Sequence, residues 1–166
     1  MVKTVICDTD LKRNSLCEEC KNKLNDGKIS ELDITASRLL SKISNTVYLE
    51  NVEFKKALDL GDLVVLVCTG NIGLIIGKKG KNVAELSKEL GKKVRIIEET
   101  KDEKKMIQDL IGEARIIAVN KIFKRDGHEH KIMIKEADKA MLVTDIEKLN
   151  QAIEALLSTS ATIEFV

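Results

Sequence analysis

The chain has 166 residues, of which 43% are hydrophobic and 33% are charged, and its formal net charge is +1. This length and composition support one or more packed cores with a well-solvated surface, and the near-zero net charge excludes a protein that attracts nucleic acid through overall charge alone. Aromatic residues make up only 2% of the chain, which argues against RNA-binding modules that stack bases on exposed aromatic rings.

Three cysteines cluster near the start of the chain. Cys17 and Cys20 form a CxxC pair, a spacing that structural zinc sites commonly use. Cys7 precedes this pair, and Asp10 stands where a second CxxC pair would place its other sulfur. Because thiolates and carboxylates both ligate zinc, these four residues are candidate ligands of a Cys3Asp zinc site. The alternative is a vestigial knuckle with free thiols. Residues 1–27 are therefore predicted to form a zinc-knuckle-like segment.

A helix and two strands are predicted next along the chain. Ser30 followed by Asp33 resembles a capping box, and apolar residues then recur at helical spacing from Leu32 to Ile43. A strand is predicted from Val52 to Leu58. The apolar run from Leu63 to Cys68 predicts a buried central strand, with Cys68 as a core residue.

A two-glycine turn, Gly77-Lys78-Lys79-Gly80, follows the next apolar run and precedes an amphipathic helix pattern that starts at Lys81. Glycine has no side chain and tolerates positive φ, so such a turn lets a nucleic-acid backbone approach closely. The N–H groups of the turn and of the next helix can face a phosphate, which the helix dipole favours. The two lysines add positive charge at the same place.

Basic residues concentrate around this turn. Residues 70–95 contain seven lysines and arginines against two glutamates, whereas the first 60 residues contain ten basic and ten acidic residues. A local excess of positive charge beside the turn fits contact with phosphates. Solvation of a helix face is the alternative interpretation of the same lysines. A strand from Val94 to Ile97 is predicted after the helix.

The order of strand, short helix, glycine turn, helix and strand over residues 62–98 resembles a KH RNA-binding domain, whose GxxG loop clamps about four nucleotides along one backbone. With the preceding helix and strand, the order is that of the type II KH fold. The resemblance implies a first KH domain over residues 28–100 that binds single-stranded RNA, with the turn at the phosphates and an aliphatic groove for the bases. A helix–turn–helix corner closed by glycines is the alternative. RNA contact is carried over to Ile75, Ile76, Gly77, Lys78, Lys79, Gly80, Lys81 and Val83.

The second half repeats this element order without the glycine turn. The equivalent stretch begins at Val143 and contains Asp145, which would repel phosphate, so residues 101–166 are predicted to form a degenerate second KH domain. His128 and His130 follow an Asp-Gly hairpin turn and are predicted to be exposed rather than to share a metal. The predicted elements are a helix over 102–111, strands over 114–123 and 130–134, a short helix over 137–142, a helix capped by Thr144 or Asp145 and ending at Leu157, and a strand over 162–165.

Two type II KH domains in tandem resemble the RNA-binding end of the transcription factor NusA, and short archaeal NusA-like proteins consist mainly of such a pair. The resemblance covers about residues 30–166 and departs from the family at the missing second GxxG. It implies a factor for transcription elongation or termination, or for RNA processing. The alternative is a non-catalytic adaptor that docks on RNA polymerase or a ribosomal particle with little RNA affinity of its own. A third interpretation is a regulator that binds single-stranded DNA.

The sequence shows no catalytic constellation, so it predicts a binding protein and not an enzyme. The predicted fold class is α/β (α+β), with tandem type II KH domains and a small N-terminal cysteine-containing segment, and zinc is the one cofactor that the residues suggest. No run approaches the ~20 apolar residues of a membrane span, and the start of the chain lacks the apolar region of a signal peptide. A cytoplasmic protein without a membrane partner is therefore expected.

Overall fold

The computed structural model describes residues 2–166, which divide into two compact units. The first unit ends at Glu99 and the second comprises Thr100–Val166. Each unit contains one three-stranded sheet with helices, so the predicted mixed α/β class is confirmed. No helix in residues 2–166 combines the length and the apolar character that crossing a membrane requires.

The first unit begins with an N-terminal segment and continues as an alternation of helices and strands. Its elements are α1 (Asp8–Leu11), α2 (Glu18–Asn25), α3 (Glu31–Ser44), β1 (Val52–Asp59), β2 (Leu63–Gly70), α4 (Ile72–Ile76), a 3-10 turn (Lys78–Gly80), α5 (Lys81–Leu90) and β3 (Lys93–Glu98).

The predicted capping box at the start of α3 is confirmed. The Ser30 hydroxyl accepts a hydrogen bond from the Asp33 N–H at 3.1 Å, and the Asp33 carboxylate accepts one from the Ser30 N–H at 2.9 Å. The other Asp33 oxygen accepts from the N–H of Ala57 in β1 at 2.7 Å. Asp33 therefore both caps α3 and connects this helix to the sheet.

Strand β2 lies at the centre of the first sheet, antiparallel to β1 and parallel to β3. Every residue from Leu63 to Cys68 is buried, which confirms the predicted central strand and the core position of Cys68. The core of this unit joins the three strands to α3, α4 and α5. Its members include Ala36, Leu40, Ile43, Phe54, Leu66, Ile75, Leu86 and Ile96.

The N-terminal segment attaches to the edge of this sheet. The Lys3 N–H donates to the Val52 carbonyl at 3.1 Å, and the Phe54 N–H donates to the Lys3 carbonyl at 2.8 Å. A small apolar cluster, separate from the sheet core, packs α2 against α3. The buried members of that cluster are Ile6, Cys20, Ile29 and Ile34.

The second unit repeats the strand pairing of the first. Strands β4 and β5 form an antiparallel hairpin, and β5 pairs with β6 in parallel. Of the two predicted cap candidates, Thr144 and Asp145, it is Asp145 that caps α7, by accepting from the Lys148 N–H at 2.9 Å. The elements are α6 (Glu103–Ile111), β4 (Ile116–Lys124), β5 (Gly127–Ile134), a 3-10 turn (Glu136–Met141), α7 (Ile146–Leu157) and β6 (Ser160–Phe165).

The prediction that both hairpin histidines are exposed is wrong for His130. His128 is exposed, but His130 is only 1% exposed. Its Nε2 lies 2.7 Å from Glu103 Oε2 in α6, and its Nδ1 lies 2.7 Å from the Thr159 hydroxyl. Both ring nitrogens therefore have partners inside the fold. The reason is strand alternation: His130 lies on the same face of β5 as the buried Ile132 and Ile134.

Candidate nucleic-acid interface

The glycine turn joins α4 to α5 through backbone conformations that favour glycine. Gly77 has φ 77° and ψ 168°, and Gly80 has φ 71° and ψ 20°. Lys79 between them is also left-handed, with φ 56°. The combination at Gly77 is essentially confined to glycine, because a Cβ would clash with the backbone. The turn therefore holds an exposed, tightly bent backbone at this position.

A buried asparagine supports the turn from inside the unit. Asn82, in the first turn of α5, is 7% exposed, and its amide donates to the Leu74 carbonyl of α4 at 3.2 Å. A Cβ built on Gly77 would lie 2.8 Å from the Asn82 side chain. Close packing thus adds to the conformational need for glycine. Asn82 was not among the predicted site residues, although a polar residue two positions after the second glycine is a signal that could have indicated it.

Three lysines present positive charge at the turn. Lys78, Lys79 and Lys81 are exposed, and within residues 2–166 none of them forms an ion pair. Helix α5 starts directly after Gly80, where no side chain caps its first N–H groups. The Lys81 N–H already donates to the Lys78 carbonyl, and the helix dipole favours an anion at this end of α5.

An apolar groove lies beside the turn, between α5 and strand β3. It has a volume of about 240 Å³ and is lined by Ile76, Gly80, Val83, Val94, Arg95 and Ile96. Val94, Arg95 and Ile96 were absent from the predicted contact residues. These residues form a wall of the groove because β3 pairs with β2, and this pairing is not apparent from the sequence.

Ile75 differs from its expected place in this site. Sequence analysis groups it with the RNA-contacting residues, but its side chain is 0% exposed and belongs to the core. Neighbouring Ile76, half-buried, lines the groove instead. Ile75 therefore supports the groove from beneath.

A second and larger depression lies on the α3 side of the same turn, with a volume of about 510 Å³. Lys42 of α3 joins Lys78 and Lys81 around it, against the single acidic residue Glu85. The turn is consequently flanked by an aliphatic groove on one side and a basic depression on the other.

The equivalent stretch of the second unit has different chemistry. A 3-10 turn without a glycine pair precedes α7, and Asp145 caps that helix. Its carboxylate also forms an ion pair with Lys148 at 3.5 Å. Because a carboxylate already accepts from the first turn of α7, a phosphate at that position would meet negative charge and an occupied donor.

The four N-terminal candidate ligands converge. One ligand atom from each of Cys7, Asp10, Cys17 and Cys20 lies within 4.8 Å of the others, so the cluster could hold a metal ion. The sulfurs of Cys7 and Cys17 are 3.9 Å apart. Two thiolates bound to one tetrahedral zinc at about 2.3 Å would be separated by roughly 3.8 Å. The donor set and its spacing therefore fit zinc.

The surroundings of these ligands differ in polarity. Both Asp10 oxygens accept from the Cys17 N–H at 3.0 Å, and this hydrogen bond holds the pKa of the Asp10 carboxyl far below its usual range. Burial raises the pKa of the Cys20 thiol to about 12. A metal cation would offset that penalty by stabilising the thiolate.

Comparison with known proteins gives two matches of different kinds. A family model described as KH domain matches residues 42–124, which is half of the chain. The matched stretch contains all of β1 to β3, the glycine turn and the groove, and it extends to the end of β4. Comparison with curated protein sequences gives no significant match.

Among solved structures, the crystal structure of APE1850 is similar to this chain with a TM-score of 0.59 and 17% sequence identity. The similarity covers 76% of this chain and 96% of that chain. At this identity it shows a shared fold.

Proposed function

The chain belongs to the KH domain family, and from that membership we propose that it binds single-stranded RNA at the Gly77–Gly80 turn and the adjoining groove. KH domains are nucleic-acid-binding and generally non-catalytic. The observation that carries the proposal is the meeting of three unpaired lysines, a glycine turn and an aliphatic groove at one place. The lysines and the glycine turn would contact the phosphates, and the aliphatic groove would contact the bases.

Each part of the proposed site has a separate task. Lys78, Lys79 and Lys81 neutralise and orient the phosphates. Ile76 and Val83 contact the faces of the bases from the helical side of the groove. On the opposite side of the groove, the wall is formed by Val94, Arg95 and Ile96 of β3. Selection among bases comes from groups along this groove.

The repeated strand pairing of the two units supports a more specific proposal. Residues 28–100 and 101–166 would be two type II KH domains of a NusA-like factor, acting in transcription elongation or termination or in RNA processing. The second domain, which has Asp145 where the glycine turn would be, does not bind phosphate in the way of the first.

A second candidate function is an adaptor that docks on RNA polymerase or a ribosomal particle. The near-neutral net charge and the capped start of α7 favour it, because both reduce attraction to RNA. Salt separates the two functions: phosphate contacts weaken steeply as salt rises, whereas apolar docking does not.

The test is fluorescence anisotropy with a single-stranded RNA pool, for wild type and for Lys78→Asp/Lys79→Asp. The matched control is Lys28→Asp/Lys104→Asp, which makes the same change in net charge at two exposed positions outside the basic stretch 70–95. We expect the turn variant to lose most binding and the control to keep most of it. Titrations at about 50 and 200 mM salt should give a slope about 1.4 shallower for Lys78→Ala/Lys79→Ala, at about 0.7 per phosphate contact.

Three outcomes are informative. Equal loss in both charge-reversal variants would mean that binding depends on overall charge and has no defined site. Unchanged binding in the turn variant would refute the turn as the RNA site. Absence of binding by the wild type would favour the adaptor.

We further propose that Cys7, Asp10, Cys17 and Cys20 hold a structural zinc ion. Purified protein should then contain about one zinc per chain, and Cys20→Ser should lose it. Cys68→Ala, which alters a cysteine of the sheet core, is the control that should keep it. Less than a tenth of an equivalent in wild type supplied with zinc during purification would contradict this assignment.

A further inference from the structure

The end of the β4–β5 hairpin carries an exposed aromatic pair. The Phe123 side chain is 74% exposed. Its cross-strand partner is His128, and the two rings meet edge to face with centroids 5.2 Å apart and planes at 79°. The pair presents a ring of a phenylalanine to solvent in a chain with only four aromatic residues.

This pair lies on the face of the hairpin that helices cover elsewhere. His130, two residues farther along β5, points to the same side and is buried beside Glu103. At the turn end, the same face is open. The other two phenylalanines are more protected, because Phe54 is 1% exposed and Phe165 is half-buried. Packing therefore does not account for a phenylalanine at position 123.

Positive charge surrounds the exposed ring. Lys121 Nζ lies 6.0 Å from the Phe123 ring centroid, and Arg125 follows in the turn. Both are exposed, and neither has an ion-pair partner in the part of the chain that the structure describes. Of the nearby acidic residues, Glu129 is paired with Lys124, and Asp126 is exposed in the turn next to Arg125; Lys131 is paired with Glu164. Residues 121–131 contain four basic residues against two acidic ones.

Tyr48 offers a contrast within the same chain. It is exposed to nearly the same extent, 72%, but its hydroxyl donates to the Glu50 carboxylate. A base that stacked there would bring its phosphates towards negative charge. Exposure of an aromatic ring alone therefore does not distinguish the two positions, whereas the sign of the neighbouring charge does.

We propose that Phe123 and His128 form a stacking platform for a base of single-stranded RNA, with Lys121 and Arg125 at the adjoining phosphates. Every base has a face that can stack on an aromatic ring, and stacking combined with backbone neutralisation is a common way to hold unpaired nucleotides. The second unit would thus contact RNA without a glycine turn. The inference shares only the class of ligand with the proposed function, because it uses different residues in a different unit.

The chain contains no tryptophan, which makes a direct test possible. Phe123→Trp and Tyr48→Trp each create a single fluorescent reporter in the full-length protein. The probes are a random single-stranded RNA pool of about 12 nucleotides and an abasic ribose-phosphate oligomer of the same length. We expect saturable quenching of the reporter at 123 by the RNA, weaker quenching by the abasic oligomer, and little quenching at 48.

Truncation gives an independent readout. Phe123→Ala should weaken binding of the RNA pool at least about fivefold, the lower end of the effect of removing one stacked base. Tyr48→Ala should change it by less than twofold. Circular dichroism should show both variants folded, since both side chains are mostly exposed.

The outcomes separate this inference from the glycine-turn site. Quenching at 123 that persists in the Lys78→Asp/Lys79→Asp background would support the platform whatever happens at the turn. Absence of quenching at 123, at RNA concentrations that saturate anisotropy, would overturn the platform and leave the turn site standing. A wild-type dimer that Phe123→Ala converts to a monomer in sedimentation, without a change in RNA affinity, would instead assign this face to a second copy of the chain.

Discussion

Gly77→Ala should destabilise the protein by an amount that the turn geometry allows us to work out. The backbone at φ 77° and ψ 168° costs a residue with a Cβ about 1–3 kcal/mol. The new Cβ would also lie 2.8 Å from the Asn82 side chain. Moving that side chain breaks its hydrogen bond to Leu74, which is worth about 0.5–1.5 kcal/mol. The sum is about 1.5–4.5 kcal/mol.

Gly80→Ala is the matched control in the same turn. Gly80 also has positive φ, but its ψ of 20° lies in the left-handed region, where a non-glycine residue costs about 1–2 kcal/mol. No atom lies within 4 Å of a Cβ built there. We therefore expect Gly80→Ala to be the milder of the two substitutions.

Urea unfolding followed by far-UV circular dichroism measures both costs. A double-mutant cycle with Asn82→Ala tests the origin of the difference, because removing the Asn82 amide should make Gly77→Ala about 1 kcal/mol less costly. Equal destabilisation by the two glycine substitutions, or a cost at Gly77 that does not depend on Asn82, would refute the argument from close packing.

Three further predictions concern charge, burial and backbone strain. Asp138 accepts hydrogen bonds from the Arg115 side chain and N–H, and these lower its pKa from 3.8 to about 2. The stabilisation is complete above pH 3.8 and is lost as the pH falls towards 2. The urea midpoint of wild type should therefore drop more steeply over this range than that of Asp138→Asn. Parallel curves for the two proteins would contradict this. Burial raises the pKa of the Cys68 thiol to about 12, so a thiol reagent should modify exposed Cys7 in metal-free native protein and Cys68 only after unfolding; equal rates in native protein would show that the central strand opens. Lys79→Asn should keep the free energy of unfolding or raise it by up to about 1 kcal/mol, because asparagine tolerates the left-handed conformation better than lysine. Its RNA affinity should fall. A clear loss of stability in urea would show that the lysine side chain supports the turn.

Local signals predicted much of the fold and the centre of the candidate site. The capping box at Ser30 and the cap at Asp145 depend on residues three positions apart, so a linear reading detects them. The glycine turn between two helical patterns is local in the same way. The buried strand from Leu63 to Cys68 was visible because all of its residues are apolar.

Features that depend on pairing between distant segments were not predictable in this way. Arg95 and Ile96 become a groove wall through the register of β3 on β2. His130 is buried on the core face of β5, and its ring partner Glu103 lies 27 residues away in sequence, in α6. In the sequence Asn82 has the pattern of an ordinary helix surface position, and its contact with Leu74 of α4 depends on the tertiary structure.

The amino-acid sequence alone determined the element order, the glycine turn with its lysines and the clustering of cysteines, because each of these is encoded within a few neighbouring residues. Tertiary structure alone decided which side chains face the groove, which histidine is buried, and that Phe123 meets His128 on an open face. The physical reason is that burial and side-chain contact are set by strand register and helix packing, which bring together residues whose separation along the chain carries no local signal.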